Sequence, residues 1–586
     1  MAEEVDQLLQ LLQSTSNVAR GQAEAQLEAW CQNPNFLTVL MSRTVQGSTV
    51  ASRQLAATIL SWRLPRAWPT LSDADAGRLQ AGLLECFLSC GELPVLKALG
   101  EACNALCQSI AVRHNTIWQD LLSAIGQSLG GDALHRRVAL EVLASLVRSM
   151  GARLQSHYRE IGKTLAASVQ DVDPNVRIAA LAVVGVAASS WCSCPEDLPH
   201  WHGAADATLE VGWSALSSSD QDAPKVLVAA LRALSRLAPA LKSEALTSAS
   251  LQLACRVLNC SSSPSVESCQ IQALQLLKAL VRSEPMLLAG QQGRAAVGAA
   301  FSAAKDAAPS VDDLDEVSNT ALSARECLRV MAKAHPTQAV ASVLEAAKAA
   351  AASADALDRA AAVHAVAFAL SGAREVPAGW AVPLANALRD SAVWVRQAAC
   401  EGAVLLAEEL KSSQSVTGGF EQILGRLVEL LPREPQLELL EKAAAAASAI
   451  LQELTTDEAA SVLSTAAPAV FQAMTKVSHA LAGAATSSDA EDQRTTALDG
   501  GAALAALART LTALASCTAD HFAPWAPEAA KSLVTLFRGC KAGGPGTAPS
   551  SPPHNYAGEP AGPSRDVSLS SAVPQRSDLL KVEHFS

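Results

Sequence analysis

Apolar side chains recur along this chain at three- and four-residue steps. Val138, Leu140, Val142, Leu143, Leu146 and Val147 are one example. With 3.6 residues per turn, that spacing gathers them on one face of an α-helix. The same period marks 176–190, 226–241, 266–282, 318–334, 358–370, 393–410, 437–454 and 496–517, after a first clear case at 134–150. Nearer the N-terminus, Val5, Leu8, Leu9, Leu11 and Leu12 keep helical spacing, and an amphipathic run follows from Arg20 to Trp30. Asn33-Pro34 ends that run, because proline supplies no N–H and disfavours a helical residue before it. Further helices are predicted from Phe36 to Val45 and from Ser52 to Leu60. No stretch alternates apolar and polar residues with period two over a useful length, so essentially no sheet is expected.

The predicted helices come in pairs at intervals of roughly 40–50 residues, the signature of a repeat architecture. One junction shows the repeat unit: Asp171-Val172-Asp173-Pro174-Asn175-Val176-Arg177, followed by Ile178-Ala179-Ala180. It returns imperfectly at Arg389-Asp390-Ser391-Ala392-Val393-Trp394-Val395-Arg396, followed by Gln397-Ala398-Ala399. Asp173 or Asp390 can cap the second helix of a hairpin, and Pro174 fits the first helical turn. Arg177 and Arg396, at or near the fourth helical position, can reach a carboxylate of the neighbouring hairpin, and the small residues allow close helix approach. This is the HEAT-repeat pattern. The fold expected is an all-α solenoid of about twelve HEAT repeats, with the arginines and aspartates as a structural ladder; a ligand-clamping role for the arginines is the other reading. Trp394 reads either as core or as an anchor exposed on the concave face.

The N-terminal segment is more specific. Arg20, Ala23, Glu24 and Leu27, the Asn-Pro break, then Arg53, Gln54, Ala56, Ala57 and a trailing Trp68 resemble the N-terminal domain of importin-β (karyopherin-β) transport receptors, most like the importin four branch. The expected organisation is importin-β N-terminal-like repeats at 1–130, a HEAT solenoid at 131–540 and a disordered tail rich in Pro, Gly and Ser at 541–586. That tail holds seven of the 27 prolines, a composition that cannot bury a core. The resemblance implies a nuclear import receptor moving between cytoplasm and nucleus. It implies cargo held on inner helices, nucleoporin Phe-Gly repeats contacted between outer helices, and release by Ran-GTP at the N-terminal repeats. Arg53 and Gln54 are the partner-binding candidates there. Members of the family are typically nearly twice as long, so a short variant or truncated product is expected, with Ran binding better kept than full cargo wrapping. The competing reading is a HEAT scaffold for protein–protein interaction without transport activity.

Composition refines this picture. Of 586 residues, 49% are apolar and only 4% aromatic, so Leu, Ala and Val do the packing. The formal net charge of −12 disfavours direct nucleic-acid binding and suits basic cargo such as ribosomal proteins or histones. Fourteen cysteines follow no disulfide framework, and the acidic start does not read as a signal peptide, which points to reduced thiols in cytosol or nucleus. The longest apolar runs fall short of the roughly 20 residues of a membrane span, so no membrane insertion is expected.

Two interruptions carry candidate chemistry. Cys192, Cys194, His200 and His202 offer four zinc-ligand types, but Cys-x-Cys and His-x-His do not match a common zinc module, and the segment reads as an inter-repeat loop. Asp312, Asp313, Asp315 and Glu316 read either as an acidic first turn or as a short acidic loop. The resemblance implies contact with Ran or basic cargo for such an insertion, although this one is much shorter than the family's. No nucleophile–base pair, dinucleotide fingerprint, phosphate loop, His-Glu-x-x-His or Cys-x-x-Cys occurs, so neither an enzyme nor a cofactor site is expected.

Overall fold

The structure is a computed structural model. It describes residues 2–30, 35–191, 201–260, 264–306, 318–373, 375–410, 417–484 and 490–542. The chain divides into a body, Met1–Leu536, and a C-terminal unit, Phe537–Ser586. Among the described residues there is no strand.

The body is a succession of antiparallel helix pairs. The first four are α1 (Ala2–Leu12) with α2 (Asn17–Trp30), α3 (Phe36–Gln46) with α4 (Val50–Ala67), α5 (Asp73–Ser89) with α6 (Leu93–His114), and α7 (Gln119–Leu129) with α8 (Ala133–Met150). The next four are α9 (Tyr158–Val169) with α10 (Pro174–Trp191), α11 (His202–Ser217) with α12 (Ala223–Leu241), α13 (Glu244–Leu258) with α14 (Pro264–Ser283), and α15 (Gln291–Asp306) with α16 (Asn319–Ala334). The last four are α17 (Pro336–Ala351) with α18 (Ala356–Gly372), α19 (Val382–Ala387) with α20 (Val393–Glu409), α21 (Thr417–Leu430) with α22 (Leu437–Leu451), and α23 (Thr456–Ala484) with α24 (Ala490–Thr518). A final helix, α25 (Ala526–Ala542), follows.

Local sequence explains the helix starts. Thr49, Ser72, Asp132, Ser243, Ser318 and Asp355 each sit just before a helix and accept a hydrogen bond from one of its first free N–H groups. Asp173 does the same for α10, accepting from Asn175 N at 2.8 Å and Val176 N at 3.2 Å. Asp390 does not hold the cap position. Ala392 does, and Asp390 lies two residues earlier, accepting from Ala392 N at 2.8 Å.

From α4 onward, successive second helices pack directly on one another, α4 on α6, α6 on α8 and so on to α24. This row is packed more closely than the row of first helices. In a curved double row the inner row is the compressed one, so the second helices line the concave side, as in other solenoids. Small residues allow the close approach. A Cβ on Gly402 of α20 would stand 2.9 Å from Ala367 Cβ of α18, inside van der Waals contact. The core is one continuous cluster of Leu, Val, Ala and Ile with few aromatic side chains. Buried cysteines belong to it, and burial pushes the Cys327 thiol up to about 12.

One expectation changes. The stretch 494–518 of α24 is long and apolar enough, by length and composition, to cross a membrane. In the body it is a packing helix, half buried. Thr510 Oγ1 donates to Ala444 O at 2.8 Å and Cys517 Sγ to Leu451 O at 3.1 Å, both on α22.

Candidate functional site: the inner row of second helices

Five second helices carry an arginine at their fourth position, and four of these make the same three-way contact. Arg53 of α4 donates Nε to Glu92 Oε2 at 3.0 Å and Nη1 to Gly47 O at 2.6 Å. Arg136 of α8 grips both oxygens of Asp171, at 2.8 and 3.0 Å, and reaches Gly131 O at 2.8 Å. Arg359 of α18 grips Asp390 at 2.8 Å through two nitrogens and donates to Ser353 O and Ala354 O. Arg396 of α20 holds Glu434 at 3.0 and 3.2 Å and donates to Asp390 O and Ser391 O. In each case the acid sits at the entrance of the next second helix. A planar guanidinium satisfies the carbonyls behind it and the carboxylate ahead of it at once, which an ammonium cannot do. Hydrogen bonds from Arg359 hold the Asp390 carboxyl below its usual range.

The junctions are not equivalent. Glu434 is the most buried of these acids, its side chain 1% exposed. Arg177 of α10 occupies the same fourth position. Among the described residues it has no carboxylate within ion-pair distance, and its Nε is buried without a hydrogen-bond partner. It still lies near enough to Asp171 to lower the pKa of that carboxyl.

Between the junctions, polar side chains line the inner row. Lys442 of α22 binds Glu401 of α20 at 3.0 Å, and His364 Nε2 of α18 stands 3.6 Å from the same carboxylate. Burial first, then the nearby Arg325, push the His364 imidazole down to about 4, so it is neutral at pH 7. Arg325 of α16 is 6% exposed with no ion pair among the described residues. One turn on, Arg329 reaches past α18 to Glu409 of α20 at 2.9 Å. It can do so because α18 ends in Ser371-Gly372. A Cβ on Gly372 would collide with the Arg329 carbonyl, so the helices touch where a larger residue would hold them apart.

The inner row therefore carries both signs of charge, and the acidity implied by the net charge is local. α20 and α22 hold Glu401, Glu408, Glu409, Glu438 and Glu441 against Arg396 and Lys442. α12, α14 and α16 hold Lys225, Arg232, Arg236, Lys278, Arg282, Arg325, Arg329 and Lys333 with only Glu267 and Glu326 as carboxylates. Sequence reasoning passed over these cations, although their spacing is visible in the primary structure.

The other candidates are placed as follows. Gln54 is exposed beside Arg53, whose guanidinium is occupied by Glu92. Trp394 is half buried and packs against the core. Asp312, Asp313, Asp315 and Glu316 lie outside the described residues, as do Cys192, Cys194, His200 and the segment 543–586. His202 is exposed at the start of α11.

This geometry is that of a HEAT-repeat solenoid. Residues 23–89 match the Importin-beta N-terminal domain family. That match covers 67 of the 586 residues, and the rest of the chain is related to known proteins by fold. Among solved structures it is similar to Kap121p, a karyopherin, with 18% identity and a TM-score of 0.72 over 92% of this chain and 51% of that one. It is similar also to Kap121p bound to RanGTP (18% identity, TM-score 0.67, 92% and 55% covered) and to Kap121p bound to Nup53p (18%, 0.68, 92% and 55%). The chain thus spans about half the length of the Kap121p chains it matches. No curated protein matches the sequence.

Proposed function

We propose that this chain is a nuclear transport receptor that binds Ran-GTP through its N-terminal repeats and basic cargo on its inner row. The observation that carries the reading is an importin-β N-terminal domain at 23–89 running directly into a solenoid that follows Kap121p over 92% of the chain. Kap121p has been solved with RanGTP, with Nup53p and with Pho4p, which supports the three classes of partner.

Lys/Arg-rich cargo, of the kind found in ribosomal proteins or histones, fits the acidic α20–α22 stretch, where Glu401, Glu408, Glu409 and Glu438 are exposed. Complementary charge steers encounter and selects partners more than it adds affinity. A cavity of about 330 Å³ lies among α17, α18 and α19, lined by Leu344, Ala347, Val363, Val366, Val382 and Pro383 and reaching the Arg359–Asp390 junction. Its size and apolar walls suit a phenyl side chain from a nucleoporin Phe-Gly repeat. Arg53 and Gln54 belong to the Ran-facing repeats in this reading, with Arg53 acting through the α4–α6 junction. Trp394, beside the Arg396 junction, borders the cargo stretch, and Asp312, Asp313, Asp315 and Glu316 belong to the segment leading into α16. The remaining junction residues Asp173, Arg177, Asp390 and Arg396 set the curvature on which cargo is wrapped. Release follows from linkage: whatever factor Ran-GTP imposes on cargo affinity, cargo imposes on Ran-GTP affinity. Such a receptor works in cytoplasm, pore and nucleus.

The test is capture of the full chain by immobilised Ran locked with GTP, beside Ran with GDP. Capture by the GTP form alone is expected. A folded, helical chain captured by neither form, or equally by both, would favour the scaffold reading instead.

A further inference from the structure

The basic side chains of the central second helices form a double row in register with the repeats. Arg232 and Arg236 on α12, Lys278 and Arg282 on α14, and Arg325 and Arg329 on α16 are pairs four residues apart. That spacing places each pair on one helix face. Successive pairs are offset by 46 and then 47 residues, which is one repeat, so they fall at equivalent positions on adjacent helices. Lys333 extends the row by a further turn of α16.

Two observations indicate that this charge is met from outside the chain. Arg325 is 6% exposed, has no ion pair among the described residues, and buries its Nε without a hydrogen-bond partner. Glu401 attracts it only from beyond ion-pair distance, and a desolvated cation so weakly countered is costly to hold. Nearby, Arg282, Arg329 and Lys333, with the carboxylates Glu326 and Glu409, line a cavity of about 780 Å³ between the C-terminal ends of α14, α16, α18 and α20. The Arg329–Glu409 pair at its edge is partly solvent-exposed, its side chains 35% and 38% accessible. An exposed pair contributes little stability, so a ligand carboxylate can replace Glu409 at small cost.

We propose that this double row is a docking surface for an acidic, extended segment of a partner protein, seated in the cavity beside Arg329. Adjacent packed helices stand roughly 8–10 Å apart, and an extended peptide advances about 3.3 Å per residue. A segment with Asp or Glu at every third position therefore brings one carboxylate to each of Arg236, Arg282 and Arg329. Charge complementarity selects a polyanion, and the absence of any Phe, Tyr or Trp on α12, α14 and α16 selects against single-stranded nucleic acid, whose sites add aromatic stacking to a basic groove. The surface meets the acidic stretch assigned above to basic cargo only at Glu409, and it does not depend on Ran binding.

The experiment is a fluorescence anisotropy titration of the full chain with a labelled (Glu-Gly-Ser) repeat peptide, the matching (Gln-Gly-Ser) peptide, and labelled oligothymidylate. Arg236 and Arg282 are exposed and unpaired among the described residues, so the variant Arg236→Glu/Arg282→Glu leaves the packing intact. Wild type is expected to bind the Glu peptide, and the double variant to bind it at least about tenfold more weakly with an unchanged helical circular dichroism signal. Equal binding of the Gln peptide, no binding of the Glu peptide, or an unchanged affinity in the double variant would overturn the proposal. So would preferential binding of oligothymidylate that the same variant abolishes, since the row would then be a nucleic-acid site. The Arg325→Met variant gives an independent check: weaker Glu-peptide binding supports the role of that side chain, and unchanged binding counts against it.

Discussion

The stretch from α12 to α16 and the stretch from α18 to α22 are built from the same helix pair and held together in different ways. In the second, Arg359–Asp390 and Arg396–Glu434 clip consecutive second helices, and the inner face is acidic. In the first, the fourth helical positions are Val226, Glu267 and Leu322, no arginine clip exists among the described residues, and the inner face is basic. Cations in one region are consumed by the junctions; in the other they are left for the surface. A solenoid can thus divide its work along its length, because each repeat answers only to its neighbours.

The largest effect that would sharpen this contrast is at Arg396. Arg396→Ala strands Glu434, whose side chain is 1% exposed, and loss of one partner from a buried pair costs about 3–5 kcal/mol. Arg359→Ala, at a pair with side chains 15% and 17% exposed, is expected to cost less, about 1–2 kcal/mol. Urea unfolding of the two variants reads the difference; equal and small losses would mean that the clips do not hold the second stretch.

Next comes pH. His364 is neutral in the fold down to about pH 4, against about 6.5 in an unfolded chain. Its contribution is complete above pH 6.5 and is lost as pH falls toward 4, because the unfolded chain takes up the proton first. Over that window wild type is expected to lose about 2–3 kcal/mol more than His364→Gln, read as the pH dependence of the unfolding midpoint. Arg325, Glu401 and Lys442 are the charged groups that face it. Parallel pH curves for the two proteins would show that His364 is not shielded as described.

The smallest expected effect is at Arg325. Because its one attracting carboxylate, Glu401, keeps its own pair with Lys442, Arg325→Met should leave stability unchanged or raise it by about 1 kcal/mol. A loss larger than that of Arg359→Ala would reveal a hidden partner and erase the contrast between the two stretches.

Much of the fold was legible in the sequence because helix period and capping are local. The segments read at 134–150, 226–241 and 437–454 differ from α8, α12 and α22 by only a few residues at each end. The position of Arg396 likewise follows from its offset within the repeat. What could not be read was set by neighbours one or two repeats away. Arg177 shares the local sequence of Arg396, yet nothing in that sequence tells that it makes no forward ion pair among the described residues. The Arg329–Glu409 pair joins residues 80 apart through a gap that exists only because α18 ends in Ser371-Gly372. The charge division along the inner row was hidden inside a single net value of −12. The apolar length of α24 escaped notice because Arg494, Asp499 and Arg509 interrupt it, and only packing against α22 and α23 shows it to be a core helix.

The account turns on cargo being read by the acidic stretch of the inner row. Hydrogen–deuterium exchange of the full chain, with and without a Lys/Arg-rich peptide, tests that most directly. Slowed exchange in α20 and α22, with α12 and α14 unchanged, is the expected result. Slowed exchange in α12 and α14, or uniform slowing along the row, would contradict it.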